Sequence, residues 1–353
     1  MDSAFDALSE EKAAERRREM REMLMLLARL SNENGCDIML LAGDLFDSAL
    51  AYHETQRSLC DAMEATDAEV FIAPGNHDFF CKKSPYSYME FPKNVHIFKS
   101  PSVTAAELPE KGCRVYGAGF NAPRCMPLLG GFRAEDDGLI NLMVMHGDMS
   151  GDMYNHITEQ DIAASGLDYL ALGHTHTYSG IKKAGRTHYA YSGCIEGRGF
   201  DETGEKGVII GEISREKCDL RFVPMGGRQY RIIDINLDGA DNAAERVLEK
   251  TAEYDGMRDI ARIILHGQYD DRIDTDAIEK MLSDRFYHVT VRDDTVLTRD
   301  IWENTDGEAL EGIFLKKMRV LFDGAEDDKT RERISSAARY GIAALENREE
   351  WRP

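Results

Sequence analysis

Ala171-Leu172-Gly173-His174-Thr175-His176 decides how this chain is read. Its lead-in, Tyr169 to Leu172, has the pattern of a short buried strand. Gly173 breaks that strand, and two histidines follow at i and i+2. On a strand this spacing puts both rings on one face, and in a turn it can aim them at one point. Two convergent imidazoles suit a transition metal. Taken alone, the stretch also reads as a surface turn with two unrelated histidines.

Three other stretches share the layout. Ile38 to Ala42 runs into Gly43-Asp44-Leu45-Phe46-Asp47, Val70 to Ala73 into Pro74-Gly75-Asn76-His77-Asp78, and Leu142 to Met145 into His146-Gly147-Asp148. Each is an apolar run ending in metal-ligand residue types beside a glycine. In open α/β sheets, sites assemble beyond the carboxyl ends of the strands. Four such ends in one chain predict a metal site built from Asp44, Asn76, His146, His174 and His176, with His77 and Asp78 close by.

The whole chain sets bounds on this reading. Its 353 residues allow about two domains, and its 42% apolar share is ordinary for a globular protein. Its apolar runs fall far short of the roughly 20 residues that span a bilayer, and Met1-Asp2-Ser3-Ala4-Phe5-Asp6 lacks the basic start and apolar stretch of a signal peptide. Seven scattered cysteines without a Cys-x-x-Cys pair read as reduced thiols in a cytoplasmic protein. The net charge of -21 argues against a general nucleic-acid coat. It leaves room for an enzyme whose metal ions hold phosphate, or whose DNA surface is partly lent by a partner.

Residues 9–34 read as a helix with Ser9 as N-cap and Asn34-Gly35 as its stop. Met20, Met23, Leu24, Leu27 and Leu30 form its sheet-facing stripe, and Arg16-Arg17-Arg18 reads as a solvated face. Strands at 36–42 and 69–73 then alternate with a helix at 53–66. Short strands are expected at 95–98 and 114–116, a strand at 139–145, a short helix at 158–165 and a strand at 169–172. Stretches 188–192, 207–213 and 220–223 look like antiparallel strands. The pattern predicts an α+β fold, with a two-layered β core flanked by helices over residues 1–225. A βαβαβ unit, 226–298, reads as a small α+β domain. Residues 299–353 read as a helical region divided near Gly324, with Phe314, Met318, Leu321 and Phe322 on one stripe.

Mixed oxygen and nitrogen donors suit Mn, Fe, Zn or Co better than calcium or a structural zinc. Two ions about 3.5–4 Å apart clamp a phosphate and supply a hydroxide nucleophile at neutral pH. His77, next in sequence to a ligand, is placed to contact phosphate or protonate the leaving oxygen. Asp78 reads either as the carboxylate that orients it or as an ordinary turn carboxylate. His53, His96, His156, His188, His266 and His288 sit in no recognisable motif and read as surface or structural.

Gly43-Asp44, Gly75-Asn76-His77-Asp78, His146-Gly147 and Gly173-His174-Thr175-His176, in this order, resemble the calcineurin-like metallophosphoesterases. Gly43-Asp44-Leu45-Phe46-Asp47 has the spelling of the SbcD-type DNA exonucleases. Ser192 to Asp201, with Glu205-Lys206-Gly207, is similar to the YhaO-like branch of that group, as is the tail around Ala338 to Gly341 and Ala344 to Glu346. The resemblance implies a four-layer α/β/β/α fold and two divalent metal ions, with Mn preferred. It implies that Asp44 bridges the ions, that Asn76, His146 and His174 complete one of them, and that His176 serves the other. His77 would be the catalytic histidine. The 226–298 unit would correspond to a DNA-capping domain, and the C-terminal helices to the part that docks on an SMC-like ATPase of the SbcC/YhaN kind. The expected activity is Mn-dependent exonuclease cleavage of DNA in repair, endonuclease cleavage and a homodimer being compatible with it.

One motif departs from the family pattern. Relatives begin with a strand ending in Asp-x-His, just before a segment like Asp2-Ser3-Ala4-Phe5, and here only Met1 precedes that segment. Asp2 is not the missing ligand by position. The expectation is that the natural start lies about ten residues upstream, with a one-metal or inactive relative as the alternative. The rival functions are a phosphatase or cyclic-nucleotide phosphodiesterase of the same fold, and a non-catalytic subunit holding DNA or an ATPase.

Overall fold

A long helix, α1 (Glu10–Glu33), opens the computed structural model, which describes residues 3, 5–47, 51–254, 259–296, 302, 309–325 and 327–345. Met1 and Asp2, on which the missing-ligand argument falls, lie outside the described residues. Ser9 Oγ caps α1 by accepting from the Lys12 N–H at 3.4 Å, and Glu10 and Glu11 face the positive end of the helix dipole. Ala13, Arg16, Met20, Met23 and Leu27 recur at helical spacing and are buried. The expected solvated arginine run is therefore corrected at one position. Arg16 falls on the buried stripe, fully covered, and pairs with Glu196, Glu19 and the Gly197 carbonyl.

The chain then lays down β1 (Ile38–Leu41), α2 (His53–Glu64), β2 (Glu69–Ile72), the single turn α3 (Pro85–Tyr88) and β3 (Val95–Ile97). These strands form a parallel sheet in the order β1-β2-β3. A second sheet follows from β4 (Thr104–Leu108), β5 (Cys113–Ala118), β6 (Ile140–His146), α4 (Glu159–Ala164), β7 (Tyr169–Gly173), β8 (Lys182–Ala184) and β9 (Thr187–Tyr191). Its order is β4-β5-β6-β7-β9-β8, with β5, β6, β7 and β9 parallel. Stretch 188–192, expected among antiparallel strands, runs parallel to β7 and antiparallel only to β8. Exposed Lys182 and Lys183 gave β8 no apolar alternation by which to be seen, so the reversal it introduces was hidden. An antiparallel pair, β10 (Gly207–Ile213) and β11 (Cys218–Pro224), completes this part.

Strand alternation builds the layers. Val70 and Ile72 pack with Met20, Met23, Leu24 and Leu27 of α1 and with Leu59 and Met63 of α2. Phe71 and Ala73, pointing the other way, join Val115, Leu142, Val144 and Tyr169 of the second sheet. Met143, Met145, Leu170 and Leu172 face outward to Ile162 of α4. The order across the fold is helix, sheet, sheet, helix. The seven cysteines are free thiols.

The chain divides into two compact units, Met1–Gly227 and Arg228–Pro353. The second holds β12 (Tyr230–Asn236), α5 (Ala243–Lys250), β13 (Ile260–His266), α6 (Thr275–Leu282) and β14 (His288–Asp293). Its three strands are parallel, and Asn242 and Asp274 cap the helices. Ile233, Ile263, Leu265 and Val291 pack against Val247, Ile278 and Leu282. Two further helices, α7 (Leu310–Asp323) and α8 (Asp328–Leu345), follow. Gly341 lets them approach: a Cβ there would stand 2.1 Å from Phe314 Cζ. The boundary expected between 298 and 299 lies outside the described residues. Among the described residues no helix is long and apolar enough to cross a membrane.

Arg16→Met fills the same space but withdraws a buried cation from Glu196. It is expected to cost about 3–5 kcal/mol in equilibrium unfolding. Arg18→Met, at an exposed position, should change stability by less than about 0.5 kcal/mol.

Candidate metal centre

Four strand ends, two from each sheet of the first unit, meet at one place. Asp44 follows β1, Asn76 follows β2, His146 ends β6 and His174 follows β7. The approach leaves no room for side chains at the turns. A Cβ on Gly75 would lie 2.2 Å from Asp44 Oδ1, and one on Gly173 would lie 1.9 Å from the Ala42 carbonyl oxygen. Asp44 and His174 themselves have positive φ, 54° and 107°. Such backbone costs of order 1–3 kcal/mol in a non-glycine residue and persists only where the surroundings enforce it.

The donor set is dense. Asn76 Oδ1 lies 2.9 Å from His146 Nε2 and 3.3 Å from His174 Nδ1, and Asp44 Oδ2 lies 3.4 Å from His146 Nε2. His146 Nδ1 faces the Ala42 carbonyl at 2.8 Å, which assigns the proton to Nδ1 and leaves Nε2 bare. His174 Nε2 faces Asp148 at 3.8 Å, beyond hydrogen-bond distance. Burial, then the neighbouring His146, lower the His174 pKa and favour its neutral form. Asp44, Asn76 and His146 thus bring three acceptor atoms together beside the His174 ring, donor types that suit a divalent cation. Among the described residues, however, no group of three or more His, Cys, Asp or Glu side chains is placed to hold a metal ion.

His77 and Asp78 are placed differently from each other. The His77 N–H donates to Asp44 Oδ1 at 2.9 Å while the residue is solvent-exposed. Asp78 is fully buried. Its oxygens accept from the N–H groups of Asp44 (3.1 Å), Leu45 (2.8 Å), Phe46 (3.4 Å) and Gly75 (2.7 Å), and from the Tyr86 hydroxyl (2.6 Å). Five donors fill the carboxylate, so its oxygens serve the Asp44 turn and not the His77 ring, the role weighed for it from sequence. Burial and the Asp44 charge push its pKa up, against the donors that favour its ionised form.

Among the described residues, no hydrogen bond or ion pair joins the His176 ring to the other four. Its Nδ1 meets Glu202 Oε1 at 2.6 Å. Glu202 also accepts from Arg198, at 3.0 Å from the guanidinium and 2.8 Å from the backbone N–H, and Arg198 pairs with Asp47. Burial raises the Glu202 carboxyl, but the bonds from His176 and Arg198 outweigh it and pull the group down to about 2. Asn155, buried with φ 51°, donates to the His146 carbonyl at 2.7 Å. Glu202 and Asn155 were missed from sequence: Glu202 lies 26 residues beyond His176, and Asn155, nine beyond His146, stands in no motif. The one available signal was a carboxylate set among glycines in the 193–207 segment.

Asp78→Asn places an amide N–H₂ among donors and should cost about 2–4 kcal/mol, while Tyr86→Phe, which removes one donor, should cost about 1–2 kcal/mol; thermal melts read both. Glu202 has a folded pKa below the ordinary glutamate value, near 4.3. Its contribution to stability is therefore complete above that pH and is lost as pH falls toward about 2. The acid-unfolding slope over this window should flatten in Glu202→Gln.

Residues 17–178 match the family model described as calcineurin-like phosphoesterase. A protein of Bacillus subtilis (strain 168), named as an uncharacterized metallophosphoesterase, YhaO, is 32% identical over 197 residues, covering 53% of this chain and 48% of that protein. The chain thus matches about half the length of this curated relative. Asp44, Asn76, His146 and His174 all fall inside the region, residues 17–178, that is similar to this family.

Proposed function

We propose that this chain is a DNA phosphodiesterase, an exonuclease of the repair type that uses Mn and works with an SMC-like ATPase. The observation that carries the phosphoester chemistry is the convergence of Asp44, Asn76, His146 and His174, with the exposed His77 anchored to Asp44. Divalent ions bound at such a site polarise a phosphoryl oxygen and lower the pKa of water. Asp44 contributes one oxygen toward the cluster and holds the His77 backbone with the other. The His77 ring, in solvent beside the cluster, meets the incoming phosphate and gives a proton to the leaving oxygen. The buried Asp78 keeps both of these residues on a fixed turn.

The choice of DNA rests on other features. A small phosphate ester needs neither the second αβ unit nor the paired helices after it. Those helices carry exposed Leu310, Ile313, Val320, Leu321 and Tyr340, an apolar surface suited to the coiled coil of an ATPase partner. With a net charge of -21 the chain alone is poorly suited to grip a polyanion, so a partner would share the DNA contact.

The test is cleavage of end-labelled linear DNA with Mn, with and without chelator, beside a phosphomonoester substrate. His77→Ala should lower kcat about 10²–10⁴-fold while Mn stoichiometry stays unchanged. Loss of metal with that substitution would make His77 a ligand. Turnover of the monoester with intact DNA would point to the phosphatase reading.

A further inference from the structure

Residues of the site follow β1, β2, β6 and β7, and the neighbouring parallel strands β3 and β5 end on the same side. The chain leaving β2, β3 and β5 is free of negative charge. No Asp or Glu occurs in residues 79–89, 97–106 or 117–134, in a chain that has 64 of them. These segments are neighbours in space. The Phe80 N–H donates to the Phe120 carbonyl at 2.7 Å, and the Gly119 N–H donates to the Ser100 carbonyl at 2.9 Å. Glycine makes the approach possible: a Cβ on Gly119 would stand 2.1 Å from the Phe98 carbonyl oxygen. Lys82, Lys83, Lys99 and Arg124 stand exposed on this frame. Lys99 Nζ lies 5.5 Å from the centre of the Phe80 ring. Among the described residues none of the four is paired with a carboxylate, whereas Lys111, Arg114, Arg186, Arg198 and Arg215 of the same unit are. Asp152 adjoins the Arg124 end, where the Cys125 N–H meets the Met153 carbonyl at 3.3 Å. The frame borders the site: Phe80 is three residues from His77, and the Phe120 and His146 rings meet edge-on with 5.5 Å between centroids.

Exposed charges more than about 8 Å apart are largely screened at physiological ionic strength. The net charge of -21 therefore does not cancel a local surface of the opposite sign. A single phosphate ester brings one charged group, and that group belongs in the site. Cations spread along the frame serve phosphates that continue beyond it. We propose that Lys82, Lys83, Lys99 and Arg124 form a track for the sugar-phosphate backbone of a nucleic acid, holding the phosphates next to the one in the site. This rests on the DNA reading above, and it puts part of the DNA contact on this chain.

Anisotropy of a short labelled DNA duplex tests it, measured on the full chain in EDTA between about 50 and 200 mM salt. Each cation that neutralises a phosphate steepens the fall of log K against log salt by about 0.9. Lys82→Gln with Lys83→Gln should therefore flatten the slope by about 2. Adding Lys99→Gln and Arg124→Gln should bring the change to about 3–4. Lys182→Gln with Lys183→Gln, at two exposed positions on β8, alters the net charge as much as the first pair and should leave the slope as in the wild type. If removing Lys99 from the Phe80 ring disturbs the fold, the Lys82 and Lys83 pair decides alone. An unchanged slope in the track variants, or equal flattening in the β8 pair, would overturn the track. So would a wild-type chain that binds no duplex over this range. A chain that binds with the expected slopes but cuts no DNA when Mn is supplied would keep the track and sink the phosphodiesterase reading.

Discussion

The buried carboxylate of Asp78 is the constraint on which the site depends. It gathers N–H groups from the turn after β1 and from Gly75 after β2, so two strand ends of one sheet are tied by a single charge. Asp44 can then occupy a left-handed backbone conformation that it would otherwise leave. The single turn α3 brings the Tyr86 hydroxyl to Asp78, and the Tyr86 ring packs edge-on against Phe46 at 5.8 Å. An apolar contact thereby fixes a polar one, and the polar one fixes a ligand.

The second sheet answers from the opposite side. His146 is threaded between the Ala42 carbonyl, the Asn76 side chain and the edge of Phe120. His174 sits under the tilted ring of Tyr154 at 5.1 Å. His146 has Nδ1 at the Ala42 carbonyl and Nε2 directed at Asn76 and Asp44, and His174 turns Nδ1 toward Asn76. Electrostatic preorganisation of this kind needs two sheets whose strand ends are close, which is why glycines stand at 75 and 173.

Much of this was legible in the sequence. Four apolar runs ending in glycine and a ligand residue located Asp44, Asn76, His146 and His174, because strand ends and ligands are neighbours along the chain. Helix stops and caps were legible at Ser9 and Asn34 for the same local reason. Arg16 was misread because charge masked its place on a buried stripe, and β8 was missed because its lysines carry no apolar alternation. Asp78 was found but its partners were not: His77 is its neighbour in sequence, whereas Asp44 is its neighbour in space. Glu202 lay beyond reach because nothing local marks a residue that braces a histidine 26 positions away, and Asn155 because an asparagine in a loop carries no pattern of its own.

The pairing of Arg16 with Glu196 has a consequence for synthesis. These residues are 180 positions apart, and chains emerge from the ribosome from the N-terminus at about 5–20 residues per second. For roughly ten seconds or more at such rates, α1 exists with a charged side chain on its core face and no Glu196 to receive it. Until then only Glu19, one turn along the same helix, is placed to pair with that charge. The segment that supplies Glu196 also carries Glu202, so the partner of α1 and the partner of His176 emerge together.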